Sequence, residues 1–444
     1  MTPPSSPTHH LPVAVVGAGP TGLAAAAHLR ARGVDHVVLE AGPHAGAAVA
    51  AWGHVRLFSP WRELVDPVAH DLLVGRGWVP PHPDRFPTGS RWVADYLAPL
   101  AQALAPAVRL GTRVTAITRY GRDRLVSSGR DDAPFTLHLR SVEGEERFQA
   151  RAVVDASGTW GTPNPLGGDG VPAVGELEHG DRIVHRMPDL SRADVRARYA
   201  RRHVVVAGTG ASAKGALLAL TALAEEEPGT RISWLVRRPR VGQAFAGSGQ
   251  DELPERGALG RLARAAVDRG PVDVRTGFRT VEVRRRDDGR LDVLSLDGQT
   301  VEAADEVVAL TGFRPDLSWT QELRLDLDPV LQAPRALAPL IDPNEHSCGT
   351  VYPHGVAELA QPEVGYYPVG TKSYGRATSF LVLTGFEQTR SVAAALAGDH
   401  ESAARVELVL PDTGVCGGAG TYEDASEGGG GCCAAPVSVD VLAR

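Results

Sequence analysis

The chain has 444 residues, of which 43% are hydrophobic and 22% are charged, as in a folded protein of about three domain-sized units. Its net charge of −7 at pH 7 argues against a general binder of nucleic acid, and no uninterrupted apolar run is long enough to cross a membrane. Four cysteines cannot form a disulfide scaffold, so we expect a reducing, cytoplasmic setting. The composition does not indicate an oligomeric state.

The first residues, 1–11, are rich in proline and serine and are expected to be disordered. Residues 13–40 contain a short apolar run, a glycine turn, an alanine-rich helical pattern and a second apolar run, which predicts a β-α-β unit. A helix is favoured at 90–105, and 107–118 and 135–154 alternate as strands do. Tryptophans cluster before residue 95, and we interpret them as core residues more readily than as the wall of a pocket: Trp52, Trp61, Trp78 and Trp92.

The turn in this β-α-β unit has the pattern GxGxxG, formed by Gly17, Gly19 and Gly22. Gly17 permits the tight turn, Gly19 lets the backbone approach a pyrophosphate, and Gly22 allows close contact between helix and sheet. The helix that follows would direct free N–H groups and its positive end at the phosphates. Glu40 ends the second strand, where an acid can accept hydrogen bonds from both ribose hydroxyls. The unit therefore predicts a dinucleotide site.

A second β-α-β unit begins at residue 203 and has the pattern GxGxxA, formed by Gly208, Gly210 and Ala213. Its second strand ends in Arg237 and Arg238 instead of an acid. Arginines at this point suit a ribose 2′-phosphate, so we predict NADPH in preference to NADH. The alternative is ordinary surface charge, because 44 of the 46 basic residues in the chain are arginine.

Two regions follow the second unit. Residues 272–310 return to short strands separated by Asp-Gly turns. Residues 379–397 form a last helix candidate, which we expect to be interrupted at Gly385.

Two dinucleotide sites in one chain imply electron transfer between two nucleotides. Over roughly residues 12–400 the sequence resembles the flavoproteins with two dinucleotide-binding domains, which include thioredoxin-reductase-like enzymes and class B flavin monooxygenases. The resemblance implies an α/β fold with two Rossmann-like dinucleotide-binding domains, the NADPH domain being inserted in the FAD domain. The implied boundaries are a disordered N-terminus at 1–11, FAD-binding segments at 12–160 and 312–410, an NADPH-binding domain at 161–311 and a flexible tail at 411–444.

Further stretches add cofactor contacts through the same resemblance. The strand before Ser157 and Gly158 is similar to the one that ends at the domain crossover in these flavoproteins, and Gly312 lies in the returning crossover. Gly370 follows a strand similar to the one that carries the third flavin contact. Lys372 lies near the place where the group often has an acid, and it could face the flavin or its phosphates, or be exposed. The last helix candidate would direct its N-terminus at the pyrimidine edge of the flavin.

The branch of the group is less clear, because the chain has no CxxC and therefore no conventional dithiol relay. The linker fingerprint of the monooxygenases survives only in Gly175 and His179, without its two aromatic residues. The resemblance favours a monooxygenase that uses FAD, NADPH and oxygen to oxidise a soft nucleophile at S, N or a metalloid. An NADPH-dependent reductase of a disulfide or a thiol-bound metalloid is the alternative. A redox or metalloid sensor with a structural flavin is the third.

The glycine-rich tail holds three of the four cysteines: Cys416, Cys432 and Cys433. Thiolates are good ligands for soft ions, and a glycine-rich chain could bring the three together, which predicts a metalloid site. The chain also resembles flavoproteins linked to arsenic resistance in actinobacteria, and mercuric reductases similarly end in a vicinal cysteine pair. The alternative is an inert disordered end.

Overall fold

The computed structural model of the chain describes residues 10–245, 254–342, 353–377 and 380–408. Its strands are β1 Val13–Val16, β2 His36–Leu39, β3 Val108–Arg109, β4 Arg113–Arg119, β5 Phe135–Ser141, β6 Gly144–Ala150, β7 Ala152–Asp155, β8 Ile183–Val184, β9 His203–Ala207, β10 Arg231–Val236, β11 Val272–Thr276, β12 Thr280–Arg285, β13 Leu291–Ser295, β14 Thr300–Ala304, β15 Glu306–Ala309 and β16 Tyr366–Pro368. Its α-helices are α1 Pro20–Ala31, α2 Ala47–Ala50, α3 Trp61–Leu64, α4 Pro67–Val74, α5 Gly89–Trp92, α6 Ala98–Ala103, α7 Ala193–Tyr199, α8 Ala211–Glu226, α9 Pro254–Arg269, α10 Ala338–Ile341, α11 Val356–Leu359, α12 Val382–Leu396 and α13 His400–Ala404. A π-helical turn, Val93–Leu97, joins α5 to α6.

Two parallel sheets organise these elements. The first has the strand order β16-β7-β1-β2-β3 and the second has the order β11-β10-β9-β15-β8. The central strands β1, β7, β9 and β15 are buried along their whole length, which explains why their sequences are apolar except for Asp155, His203 and Glu306 at strand ends and do not alternate. Antiparallel sheets of three strands, β4-β5-β6 and β12-β13-β14, accompany them. The predicted α/β class with two Rossmann-like domains is confirmed.

The second sheet is inserted into the first along the chain. All its strands, from β8 to β15, lie between β7 and β16, which are hydrogen-bonded neighbours in the first sheet. This connectivity agrees with the expected insertion of one nucleotide-binding domain in the other. The domain boundaries at 160, 311 and 410 stay predictions.

The chain enters and leaves the inserted region through two linkers that are bonded to each other. The amide of Asn164 donates to the carbonyl of Gly312 over 2.9 Å, and the amide of Arg314 donates to the carbonyl of Thr162 over 3.0 Å. The Asn164 side chain donates to the carbonyl of Thr311 and accepts from the Arg314 guanidinium, each over 3.0 Å. The ring of Trp160 lies 4.8 Å from that of Phe313 beside this crossing. The two linkers therefore form one short paired ribbon.

The predicted break at Gly385 is wrong, since α12 runs without interruption from Val382 to Leu396. A Cβ at Gly385 would lie 2.9 Å from Oγ1 of Thr21 in α1. The glycine therefore allows α12 to approach α1 closely, and packing between the two helices outweighs its low helix propensity. Among the described residues, no helix combines the length and apolarity needed to cross a bilayer.

Candidate active site

The turn after β1 has the geometry of a phosphate cradle. Gly17 has a φ of +100°, and a Cβ there would lie 2.7 Å from the carbonyl oxygen of Ala156. A Cβ at Gly22 would lie 1.9 Å from the carbonyl oxygen of Gly17, so both positions exclude a side chain. At Gly19 a Cβ would meet no protein atom within 4 Å. Gly19 also begins α1 without any side-chain cap, which leaves the N–H groups of the first turn available to an anion.

The turn after β9 repeats this construction. Gly208 has a φ of +117°, and a Cβ there would lie 2.2 Å from the carbonyl oxygen of Leu310. Gly210 begins α8 without a side-chain cap, and a Cβ there would meet no protein atom within 4 Å. Ala213 is fully buried at the contact of α8 with the sheet. In both sheets the first glycine thus packs against the carbonyl that follows the neighbouring parallel strand.

The carboxylate of Glu40 is oriented by the backbone of two neighbouring turns. Its Oε2 accepts from the amide of Ala18 over 2.7 Å, and its Oε1 accepts from the amide of Gly42 over 2.7 Å. A carboxylate has about four acceptor positions, so each oxygen keeps one for a further donor. Glu40 therefore fits the predicted contact with two ribose hydroxyls.

A cavity of about 690 Å³ runs along the carboxyl edge of the first sheet. It passes from Glu40 beyond β2, across the β1 turn, to the ends of β7 and β16, as expected for a ligand on an open α/β sheet. Near β7 and β16 its wall contains Ser157, Gly158 and Gly370. Aromatic rings complete the wall: Trp52, Phe58, Trp92, Trp160, Phe313, Trp319 and Phe380.

Helix α12 holds the part of the cavity wall near Gly370 in place. Gly370 has a φ of +66°. Its amide donates to Oε1 of Gln388, a fully buried residue of α12, over 2.7 Å. The Gln388 amide nitrogen in turn donates to Oγ of Ser373 and to Nε2 of His354. The start of α12 at Val382 also lines the cavity, and the expected direction of this helix toward the flavin stays a prediction.

These two turns and the strands beside them are shared with a family of known enzymes. A model of the pyridine nucleotide-disulphide oxidoreductases matches residues 14–348, which include both glycine turns. The chain belongs to this family. As a member of it, the chain is an NADPH-dependent flavoprotein oxidoreductase, and the predicted cofactors FAD and NADPH are confirmed.

The proteins to which this oxidoreductase is similar in sequence or in fold include reductases and a monooxygenase. A ferredoxin–NADP reductase of Gluconacetobacter diazotrophicus is 29% identical over 419 residues, which cover 92% of this chain and 94% of that protein. The fold is similar to that of a bacillithiol disulfide reductase of Bacillus cereus, at 20% identity and a TM-score of 0.63, over 87% of this chain and 99% of that one. A flavin monooxygenase variant from Stenotrophomonas maltophilia is similar at 23% identity and a TM-score of 0.54, with coverages of 87% and 99%. The comparisons thus leave the acceptor of the electrons open.

Two predicted cofactor residues of the oxidoreductase lie outside the cavity wall. Gly312, with a φ of +91°, belongs to the linker ribbon, where a Cβ would lie 3.3 Å from the side-chain amide of Asn164. Lys372 is buried, which excludes the exposed alternative, and its ammonium forms an ion pair with Asp155 over 3.3 Å. The predicted contacts of both residues with a cofactor stay predictions.

Arg237 and Arg238 follow β10 directly, at the same edge of the second sheet as the Gly208 turn. Arg237 is exposed and donates to the carbonyl of Gly168 over 3.4 Å, whereas Arg238 is half-buried. Their place beside the turn fits a phosphate on the ribose of a dinucleotide bound there. Their predicted role stays a prediction.

The remaining residues singled out in the sequence are the tryptophans, the Gly175–His179 pair and the tail cysteines. The four tryptophans lie in the core around the first sheet or pack against it, as expected, and Trp52 and Trp92 also line the cavity. Gly175 has a φ of +78° and packs against the carbonyl of Val283, and His179 continues the same turn away from the cavity. The tail cysteines fall outside the described residues, and their soft-ion site stays a prediction: Cys416, Cys432 and Cys433.

Sequence reasoning missed the residues that support the cavity from behind. Asp155 and Tyr366 are fully buried beneath the wall, and the Tyr366 hydroxyl donates to Oδ2 of Asp155 over 2.6 Å. Burial and the neighbouring carboxylate raise the pKa of Tyr366 well above its ordinary value, so the hydroxyl remains a donor. A buried acid at the end of an apolar strand was the signal that could have identified Asp155.

Proposed function

We propose that the protein is a flavin monooxygenase that uses NADPH and oxygen to oxidise a soft nucleophile at sulfur, nitrogen or a metalloid. FAD would lie in the cavity, with its adenosine at Glu40, its pyrophosphate over Gly19 and its ring near Ser157 and Gly370. NADPH would bind at the turn that contains Gly210. When bound, the flavin supplies hydride acceptance and oxygen activation, and the protein supplies binding, orientation and a dry site.

The observation that carries the proposal is the wall at the ring end of the cavity. Aromatic side chains line it, among them Trp160, Phe313 and Trp319, and the chain has no CxxC that could act beside them. An apolar wall excludes water, which protects a reactive oxygen species from hydrolysis and favours transfer to an uncharged substrate. A dithiol relay would instead need a pair of thiols beside the ring.

Oxygen transfer is the property to test. The purified protein is supplied with NADPH, a thioether and ¹⁸O₂, with catalase present to remove free peroxide. We expect a sulfoxide that carries ¹⁸O, with one oxygen molecule consumed for each NADPH oxidised. Unlabelled sulfoxide, or NADPH oxidation without any oxygenated product from a series of thioethers, amines and arsenite, would contradict the proposal.

A reductase is the second candidate, supported by the relative that matches along almost the whole chain. In that case the protein would pass electrons from NADPH to a ferredoxin or to a small disulfide. The same preparation would then oxidise NADPH without oxygen when either acceptor is added. Anaerobic turnover with one of these acceptors, together with no labelled product, would favour this function over oxygen transfer.

Coenzyme preference tests the placement of NADPH. Replacing Arg237 and Arg238 together by Gln is expected to raise the KM for NADPH by about tenfold or more and to leave the KM for NADH nearly unchanged. Charge-assisted hydrogen bonds to phosphate are worth roughly 1.5–3 kcal/mol each, and NADH lacks the phosphate.

A matched control removes two arginines from the opposite edge of the second sheet, at the amino ends of its strands. Arg202 and Arg231 are exposed at the amino ends of β9 and β10, away from the Gly208 turn. Replacing both by Gln lowers the net charge equally but should not affect either coenzyme. Equal effects of the two double variants on NADPH would show that Arg237 and Arg238 act only through general charge.

A further inference from the structure

A buried charged cluster lies directly behind the ring end of the cavity. Asp155, the last residue of β7, accepts three hydrogen bonds, from the amide and hydroxyl of Ser157 at Oδ1 and from the Tyr366 hydroxyl at Oδ2, and it forms an ion pair with the Lys372 ammonium at Oδ2. The side chains of Asp155 and Lys372 are 0% and 1% exposed. Both oxygens of the carboxylate are therefore bonded inside the protein, and the ammonium is its counter-charge.

The Lys372 ammonium joins this cluster to two further parts of the wall. It donates to Oγ of Ser157 over 3.1 Å and to the backbone carbonyl of Asp316 over 2.6 Å. Its nitrogen also lies 5.0 Å from the ring centroid of Trp319, within range of a cation–π contact. One side chain thus bonds the end of β7 to the segment after the returning linker, while its own backbone follows β16. All three segments line the cavity.

Stability alone does not account for such a cluster. A buried ion pair gains little over well-packed apolar groups, because desolvation of the two charges offsets their attraction. The ion pair instead fixes the arrangement of the cavity wall. It does so at the end of the cavity near β7 and β16. At the other end Glu40 is held by the amides of Ala18 and Gly42, with no bond to the cluster.

We propose that Lys372 is a positioning residue for the flavin ring. Paired with Asp155, it holds Ser157 and Trp319 in place and keeps a positive charge behind the wall, and so sets the affinity for FAD and the reduction potential of the flavin. The proposal rests on the placement of FAD in this cavity. It does not depend on whether the electrons then go to oxygen or to another acceptor.

The test compares Lys372→Met, Lys372→Arg and the double variant Asp155→Asn/Lys372→Met with the wild type. The measurements are the FAD dissociation constant from fluorescence on dilution of the purified holoprotein, and the midpoint potential against redox dyes without oxygen. Lys372→Met should weaken FAD binding by about tenfold or more, because Ser157 and Trp319 lose the ammonium that holds them in place and Asp155 is left as a buried charge without its partner. It should also make the potential more negative, because a positive charge near the reduced ring is lost.

Lys372→Arg keeps the charge and should return both values toward those of the wild type. The double variant leaves no unpaired buried charge, so it should fold even if Lys372→Met does not, and it should still weaken FAD binding. A control of a similar kind, Glu306→Gln/Arg198→Met, removes a buried carboxylate and one of its two arginine partners at the second sheet. This control should retain the FAD affinity and the potential of the wild type.

The proposal is overturned if the double variant binds FAD as the wild type does, or if the Glu306 control weakens FAD binding as strongly. Either result would leave the placement of FAD intact, since that placement has its own test at Gly19. Retention of FAD by a Gly19→Val protein would instead remove the basis on which the role of Lys372 rests.

Discussion

The Gly19→Val protein is expected to fold and to purify without the yellow colour of bound flavin. Gly19 has φ −78° and ψ −175°, an extended conformation that valine adopts readily, and its Cβ position is free of protein atoms within 4 Å. The new side chain would therefore occupy the space where the pyrophosphate must approach the start of α1. Visible absorbance and circular dichroism of the purified protein measure the two expected results.

Gly210→Val is the matched control, because Gly210 has nearly the same conformation, φ −72° and ψ 179°, and is equally open. This protein should keep its flavin but lose reduction of that flavin by NADPH, since the change affects only the second turn. Substitutions at Gly17 or Gly22 would not be equivalent, as a Cβ there meets backbone oxygen within 3 Å. A Gly19→Val protein with a full flavin spectrum would refute the assignment of the first site.

Glu363→Gln is expected to lower the free energy of unfolding by about 3–5 kcal/mol, the usual effect of breaking a buried ion pair. The Glu363 carboxylate is fully buried and accepts from Arg119 over 2.7 Å, from Arg130 over 2.8 Å and from the amide of Arg324. It connects the β4-β5-β6 sheet to the segment before β16. Glutamine would leave two buried guanidinium groups without a counter-charge, and urea unfolding at neutral pH measures the loss.

Lowering the pH should reproduce part of this loss of stability in the wild-type protein. Burial alone would raise the pKa of Glu363, but the hydrogen bonds from Arg130 and Arg119 outweigh it and hold the pKa below the ordinary value of 4.5. The folded protein therefore binds the proton less readily than the unfolded chain, and the stabilisation is complete above pH 4.5 and decreases as the pH falls below it. The Glu363→Gln protein should lack this component of the acid dependence.

Glu145→Gln provides the control, because Glu145 pairs with Arg140 on the surface and its side chain is 69% exposed. Exposed pairs contribute about 0–1 kcal/mol, so this change should leave the unfolding curve almost unchanged. If both variants lose stability equally, the burial of the Glu363 cluster does not increase its contribution to the free energy of unfolding.

The sequence predicted those parts of the site that are local in the chain. The spacing of Gly17, Gly19 and Gly22 between a strand and a helix is sufficient to define the turn, because each glycine acts on atoms a few residues away. Lys372 and Asp155 are 217 positions apart in the chain. No pattern within either segment indicates that their side chains form an ion pair. Gly385 is a second example, since the reason for a glycine at this position is its close contact with Thr21 in a different helix.

The paired linkers have a consequence for how this enzyme can change during evolution. Because Asn164 and Arg314 meet in one ribbon, the inserted region begins and ends at a single place in space. The separation of the two cavity walls is set by the direct pairing of β7 with β16, and it is independent of the length and sequence of the inserted region. Insertions, deletions and a new coenzyme or partner preference can therefore accumulate in the second sheet while the geometry of the first sheet is inherited unchanged.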